Sequence, residues 1–216
     1  MKWSDIASGL IKLNPADIVL VRSPGVFGKL IRWASRHKGE AVSRVNHVLL
    51  VEKYTGDLMG RHEYNIIDTM WTVYRRSLYC YANPQFEVLI ARDKTLNVKE
   101  ALTITSKARS YIGSFYSPMR IGLHLIDKML GKVLGKEVVL FSQFGFGGFV
   151  ICNQVAAMSY SAAQRHFGRP AQSADPDHMY DWILAHPEKY EIVFMSDGIT
   201  MDVDTVVNGR LTVDFA

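Results

Sequence analysis

The chain has two cysteines in 216 residues, too few for a disulfide framework. One Cys80–Cys152 bridge is the most the pair allows, and two free thiols in a reducing compartment are the default reading. No apolar run is long enough to span a bilayer. The opening "MKWSDIASGLIKLNPADIVLVRS" is broken by Asp5, Lys12 and Pro15, so it does not read as a secretory signal. A cytoplasmic protein is the expectation, and a phage or prophage product released by another route would read the same. No dense block of one charge occurs either. Lys and Arg total 25 against 21 Asp and Glu, a net charge of +4. The cations are scattered, as at Arg22, Lys29, Arg32, Arg75, Arg76, Lys128 and Lys132, which argues against a nucleic acid partner. No pair of histidines stands at zinc-motif spacing with a third ligand, so no metal is expected. Internal repeats and low-complexity tracts are absent as well.

A hydrophobic content of 48% and a charged content of 21% are those of a globular chain that can bury one core. We read residues 1–216 as a single domain, with a core at about 15–196 and a C-terminal extension at 197–216 that ends in an Asn-Gly hairpin. Strands are expected at 17–23, 44–54 and 85–93, in one or two pieces at 57–78 after a Thr55-Gly56-Asp57 turn, and at 190–196. The stretch "SLYCYAN" alternates like a strand, which makes Cys80 a structural residue. Helical spacing marks 25–39, 97–113, 117–135, 151–168 and 175–187. Asn97 with Glu100 three residues on forms a capping box, and Pro176 suits a first helical turn. The apolar, Gly-rich 137–149 reads as a strand or a loop. This order implies an α+β fold, with a mostly antiparallel sheet and packed helices.

Three residues could carry chemistry. Cys152 in "GGFVICNQVAA" opens a helix, where unpaired N–H groups and the positive dipole end stabilise a thiolate and an oxyanion. The alternative is a buried filler in an apolar place. Gly147 and Gly148 just before it would let a substrate chain approach closely. His47 interrupts the apolar strand "VNHVLLVE" and is either a general base or a satisfied core histidine. Asp68 in "YNIIDTMW" ends a neighbouring strand and could share a face with His47 and orient it, or could face water. Glu52 and Glu63 are rivals, but Glu52 is an odd number of residues from His47 and should point to the other face.

The strings "ADIVLVRS", "LIRWAS", "NHVLLVE", "IIDTMW", "YIGSFYS" and "FVICNQV", in this order, resemble the circularly permuted papain-like amidases of the NlpC/P60 superfamily, and within it the YiiX/YaeF-like group. The resemblance covers about residues 15–195. It implies a permuted papain-like fold with Cys152 as nucleophile, His47 as general base and Asp68 as the polar third member. It also implies that Tyr116, in Gly-x-x-Tyr, lines the site. The chain departs from the family at Asn46 and Leu49 around the histidine, at Asp68 where Glu is common, and at Asn153-Gln154 after the cysteine. Gly148 and Asn153 join Tyr116 as candidate substrate-binding residues.

The expected activity is that of a thiol-dependent hydrolase of amidase or peptidase type, acting on an amide or ester through an acyl-enzyme on Cys152. The expected partner is a cell-wall peptide or a lipid-linked substrate, and no cofactor is implied. An acyltransferase on a lipid-like substrate, or a non-catalytic binding module on the same scaffold, are the alternatives. The amphipathic and then apolar 118–149 is a candidate for peripheral membrane contact; otherwise it is an internal helix and a core loop.

Overall fold

Short β-branched runs in the first half of the chain become strands because each alternates between two covered faces. The computed structural model describes residues 1–24, 29, 44–116, 126–127, 130–131, 133–134, 138, 149–150 and 152–196. Its strands are β1 (Ile18–Arg22), β2 (His47–Leu58), β3 (Arg61–Thr69), β4 (Val73–Ser77), β5 (Glu87–Asp93), β6 (Phe115–Tyr116), β7 (Phe149–Val150) and β8 (Tyr190–Met195). Six of them form one sheet in the order β4-β3-β2-β1-β5-β8, with every pair antiparallel. The helices are α1 (Trp3–Ala7), α2 (Val98–Arg109), α3 (Cys152–Ala162) and α4 (Pro176–Ala185). The fold is therefore α+β with a mainly antiparallel sheet, as the order of elements implied.

Ile18, Leu20, Val48, Leu50, Ile67, Leu89 and Ala91 face a core completed by Ile104 and Ala108 of α2, Val155, Ala156 and Tyr160 of α3, and Ile183 of α4. Their neighbours Val19, Val21, Leu49, Val51, Ile66, Val88 and Ile90 face the opposite core, with Ile6, Leu13 and Tyr81. Burial on both faces is why these strands read as nearly continuous apolar runs. The caps form as the residues dictate. Asn97 accepts from the Glu100 N–H while Glu100 accepts from the Asn97 N–H, each at 2.9 Å. Asp175 accepts from the His178 N–H at 2.8 Å, one residue before Pro176.

Several local expectations are corrected. Thr55-Gly56-Asp57 does not reverse the chain: β2 runs through it with a register shift at Tyr54/Gly56, where Gly56 has φ +108°. The reversal comes at Met59 and Gly60, with φ +52° and +76°, between the paired Leu58 and Arg61. Two consecutive positive φ values suit the twist of a two-residue hairpin. "SLYCYAN" is not a strand, because Leu78–Tyr81 winds into a 3-10 turn after Ser77, whose hydroxyl accepts from the Tyr79 N–H. Cys80 is consequently exposed, and both cysteines are free thiols. Helix α3 stops at Ala162, short of Gly168, whose φ of +71° instead serves a close approach to the Trp182 ring. The expected helix at 25–39, nearly all of the one at 117–135, the apolar 137–148 and the hairpin after residue 196 lie outside the described residues. Among the described residues, no helix is long and apolar enough to cross a membrane.

Candidate active site

His47 is the first residue of β2, paired with Val21. The chain leading to it is held on two sides. Asn46 is buried, its Oδ1 accepting from the Ser23 N–H at 2.8 Å and its Nδ2 donating to Ser23 Oγ at 2.7 Å. The Arg44 N–H donates to Asp177 Oδ1 at 2.8 Å, at the start of α4. Asn46 thus clamps the start of the strand that presents His47.

Antiparallel pairing then sets the partner. Leu50 lies opposite Ile67, so the next pair places Asp68 across from Leu49, on the face that also carries His47. The His47 ring meets Asp68 through Nε2 and Oδ1 at 2.7 Å. Asp68 is fully buried rather than turned to water. Its Oδ1 also accepts from the Thr69 N–H at 2.6 Å, while Oδ2 accepts from Tyr81 O–H at 2.9 Å and pairs with Arg76 Nη2 at 2.5 Å.

Cys152 arrives from the other side. The parallel pair of β6 and β7 sets Phe115 beside Phe149 and Tyr116 beside Val150, which delivers the chain to the first residue of α3. Ala156 and Ala157 are small, so α3 packs closely under the sheet, and Tyr160 O–H donates to the Ala16 carbonyl at 2.7 Å. Cys152 is buried, its thiol donates to Asn153 Oδ1 at 3.9 Å, and it lies close enough to the His47 ring for each to shift the other's protonation. With Nε2 occupied by Asp68, Nδ1 is the ring nitrogen left for the sulfur. The structure therefore brings Cys152, His47 and Asp68 into one chain of contacts.

Electrostatics follow from these contacts. Burial favours a neutral His47 ring, yet the Cys152 thiolate and the Asp68 carboxylate outweigh it and push the imidazole up to about 10. Burial likewise raises the Cys152 thiol, but the His47 charge and hydrogen bond, with the N–H groups of Val48 and Asn153, bring it below its ordinary value. Burial works against the Asp68 anion, and the charges of His47 and Arg76 with the Tyr81 hydroxyl hold its carboxyl below the usual range. Both shifts favour a thiolate beside an imidazolium, the reactive form of a thiol.

The other candidates fall in different places. Tyr116 lies in β6, two strand residues from the chain entering α3, and its side chain is outside the described residues, as is Gly148. Asn153 is buried, with its Nδ2 donating to the Ala174 carbonyl, so its side chain ties down the start of α3. Glu52 points to the opposite face, as parity required, and there binds Arg75 and Arg109. Glu63 is engaged by Ser77 and Arg61.

Two neighbours were missed by sequence reasoning. Arg76 stands two residues beyond Tyr74, which pairs with Asp68, so it shares that face. The alternation in "VYRRS" carried that signal, but only once the register is known. Tyr81 had none, because its reach depends on a 3-10 turn that alternation does not encode. Among the described residues, no group of three or more His, Cys, Asp or Glu is placed to hold a metal ion. No protein-family model matches the chain, and no curated protein matches it.

Proposed function

We propose that this chain is a cysteine hydrolase of amidase or peptidase type, on a permuted papain-like scaffold, with Cys152 as nucleophile, His47 as acid and base and Asp68 as the group that orients His47. The observation that carries the reading is the His47 ring set between the Asp68 carboxylate and the Cys152 thiol at a helix start. The order of His47 on a strand ahead of Cys152 on a helix agrees with the resemblance in the sequence.

The mechanism uses only these residues. The Cys152 thiolate adds to the carbonyl carbon of an amide or ester, and the C=O electron pair moves to oxygen. The N–H of Cys152, at a helix position that lacks an intrahelical acceptor, donates to that oxyanion. As the tetrahedral carbon collapses, the bond to the leaving nitrogen or oxygen breaks, and the His47 imidazolium supplies its proton. Water then adds to the thioester while His47 takes its proton, and the acid departs from the regenerated thiolate. An alcohol or amine in place of water would make the same enzyme an acyltransferase. Exposed Met70, Trp71 and Phe115 favour an apolar acyl group. They are 49%, 77% and 64% exposed, and they flank the turn after Asp68 and the β6 strand beside β7.

Site-resolved alkylation tests this. Iodoacetamide is expected to modify Cys152 with an acid limb below that of an ordinary thiol, while Cys80, exposed but pushed up to about 11 by partial burial of its thiol, reacts far more slowly near neutral pH. The variant His47→Ala should return Cys152 to the behaviour of a buried ordinary thiol. A p-nitrophenyl ester should leave an acyl adduct on Cys152, absent in Cys152→Ala. An ordinary titration of Cys152 with no adduct would mean a binding module on the same scaffold.

A further inference from the structure

The carboxylate of Asp68 is gripped on both oxygens. Oδ1 takes the His47 ring at 2.7 Å and the Thr69 N–H at 2.6 Å, and Oδ2 takes Tyr81 O–H at 2.9 Å and Arg76 at 2.5 Å. The Arg76 guanidinium carbon lies 4.7 Å from the Tyr81 ring centroid and 5.5 Å from that of Tyr74, so two aromatic faces flank it. Its Nε is buried without a hydrogen-bond partner, so the guanidinium is placed for Asp68 rather than for its own solvation.

We propose that Arg76 is a positioning residue for the thiol chemistry: paired with Asp68 Oδ2 and flanked by Tyr74 and Tyr81, it holds Asp68 as an anion and limits how tightly His47 keeps the proton of Cys152. This rests on the reading of Cys152 and His47 given above. The charge count supports it. The groups facing Asp68 are His47 from β2, Arg76 and Tyr74 from β4, Cys80 and Tyr81 from the 3-10 turn and, through His47, Cys152 from α3. Tyr74, Tyr81 and Cys80 are all shifted upwards and stay neutral at pH 7. Two anions, Asp68 and the Cys152 thiolate, then face two cations, His47 and Arg76, and the buried cluster is neutral. Without the Arg76 charge it carries one excess negative charge. That excess opposes the thiolate, and it makes the imidazolium slower to release its proton to a leaving group.

Arg76→Gln keeps a hydrogen-bond donor for Oδ2 and loses the charge; Arg76→Lys keeps the charge. Site-resolved iodoacetamide labelling of Cys152 against pH, with circular dichroism melts to check folding, separates the two. In Arg76→Gln the acid limb should move up by about one pH unit, and turnover of a p-nitrophenyl ester should fall in kcat with KM little changed. Arg76→Lys should restore most of both. If Arg76→Gln does not fold, Tyr81→Phe, which removes only the other Oδ2 donor, should move the limb the same way by less. A lowered limb in the wild type with no movement in the folded variant overturns this proposal alone, and so does an equal shift in the Gln and Lys variants. An ordinary limb in the wild type would instead remove the thiol-enzyme reading on which it rests.

Discussion

Replacing Asp68 by Asn changes one charge and almost no volume, so its effect isolates the carboxylate. Four donors point at Asp68: the His47 ring, the Thr69 N–H, Arg76 Nη2 and Tyr81 O–H. An amide offers one acceptor oxygen, and its NH2 must face donors on the other side. Whichever way it turns, one pair of donors loses its acceptor, and Arg76 loses its counter-charge. Removing one partner of a buried ion pair costs about 3–5 kcal/mol. The Arg76 side chain keeps 27% of its exposure and can be partly rehydrated, which points to the lower end, about 3 kcal/mol. For a chain of this size that is a fall in Tm of about 6–12 °C. The pH dependence has a definite sign. The folded carboxyl titrates below its ordinary value of 3.8, so its stabilisation is full above that value and is lost as pH falls through the folded one. Melts of wild type and Asp68→Asn should therefore differ fully at about pH 5–7, and the difference should shrink progressively as pH falls below 3.8. Ester turnover should drop by about 10²–10⁴, the usual scale for a misdirected acid–base group. A Tm difference under about 2 °C at neutral pH, or one undiminished in acid, would refute the assignment of Asp68 as a buried anion serving His47 and Arg76.

Two further substitutions probe the frame around the site. A Cβ on Gly168 would lie 2.1 Å from Trp182 Cζ3 at φ +71°, so Gly168→Ala combines left-handed strain with a ring displacement. It should cost about 2–4 kcal/mol, read as a lower urea midpoint with an unchanged slope; an unchanged midpoint would show that the α4 side yields freely. Glu52→Gln removes the buried anion that joins Arg75 of β4 to Arg109 of α2. Both arginines are 43% exposed and can rehydrate, so the expected loss is only about 1–2 kcal/mol. Because the Glu52 carboxyl is held low against burial by the two arginines, the loss should appear above the ordinary carboxylate range and vanish in acid. A large collapse at neutral pH, with the wild type unaffected, would show that the pair bears more of the α2 contact than its solvation implies.

The arrangement at the sheet end explains why a histidine occupies an apolar strand. His47 is the first residue of β2, where the sheet core gives way to the start of α3, and its ring spans from the Asp68 side of the sheet to the thiol on the other. A residue one position further in would have to choose one face. The buried Asn46 ties that strand start to Ser23, and the Arg44 N–H ties it to Asp177.

Much of this was determined by the sequence alone, wherever the governing interaction is local. The caps at Asn97 and Asp175 follow from residues three apart. Two-residue alternation sent Glu52 away from His47, and flanking apolar runs placed His47 and Asp68 on strands that could be neighbours. The tertiary structure alone decided the rest. Register between β3 and β4 put Arg76 rather than Arg75 on the Asp68 face, because a slip of one residue exchanges the faces. The turn at Met59-Gly60 won over Thr55-Gly56-Asp57 because the strand could absorb Gly56 in a register shift, within a stretch of β2 whose side chains are mostly exposed. The 3-10 turn that aims Tyr81 at Asp68, and the packing of α3 that brings Cys152 to His47, depend on contacts between residues far apart in the chain, and periodicity within one segment carries no information about them.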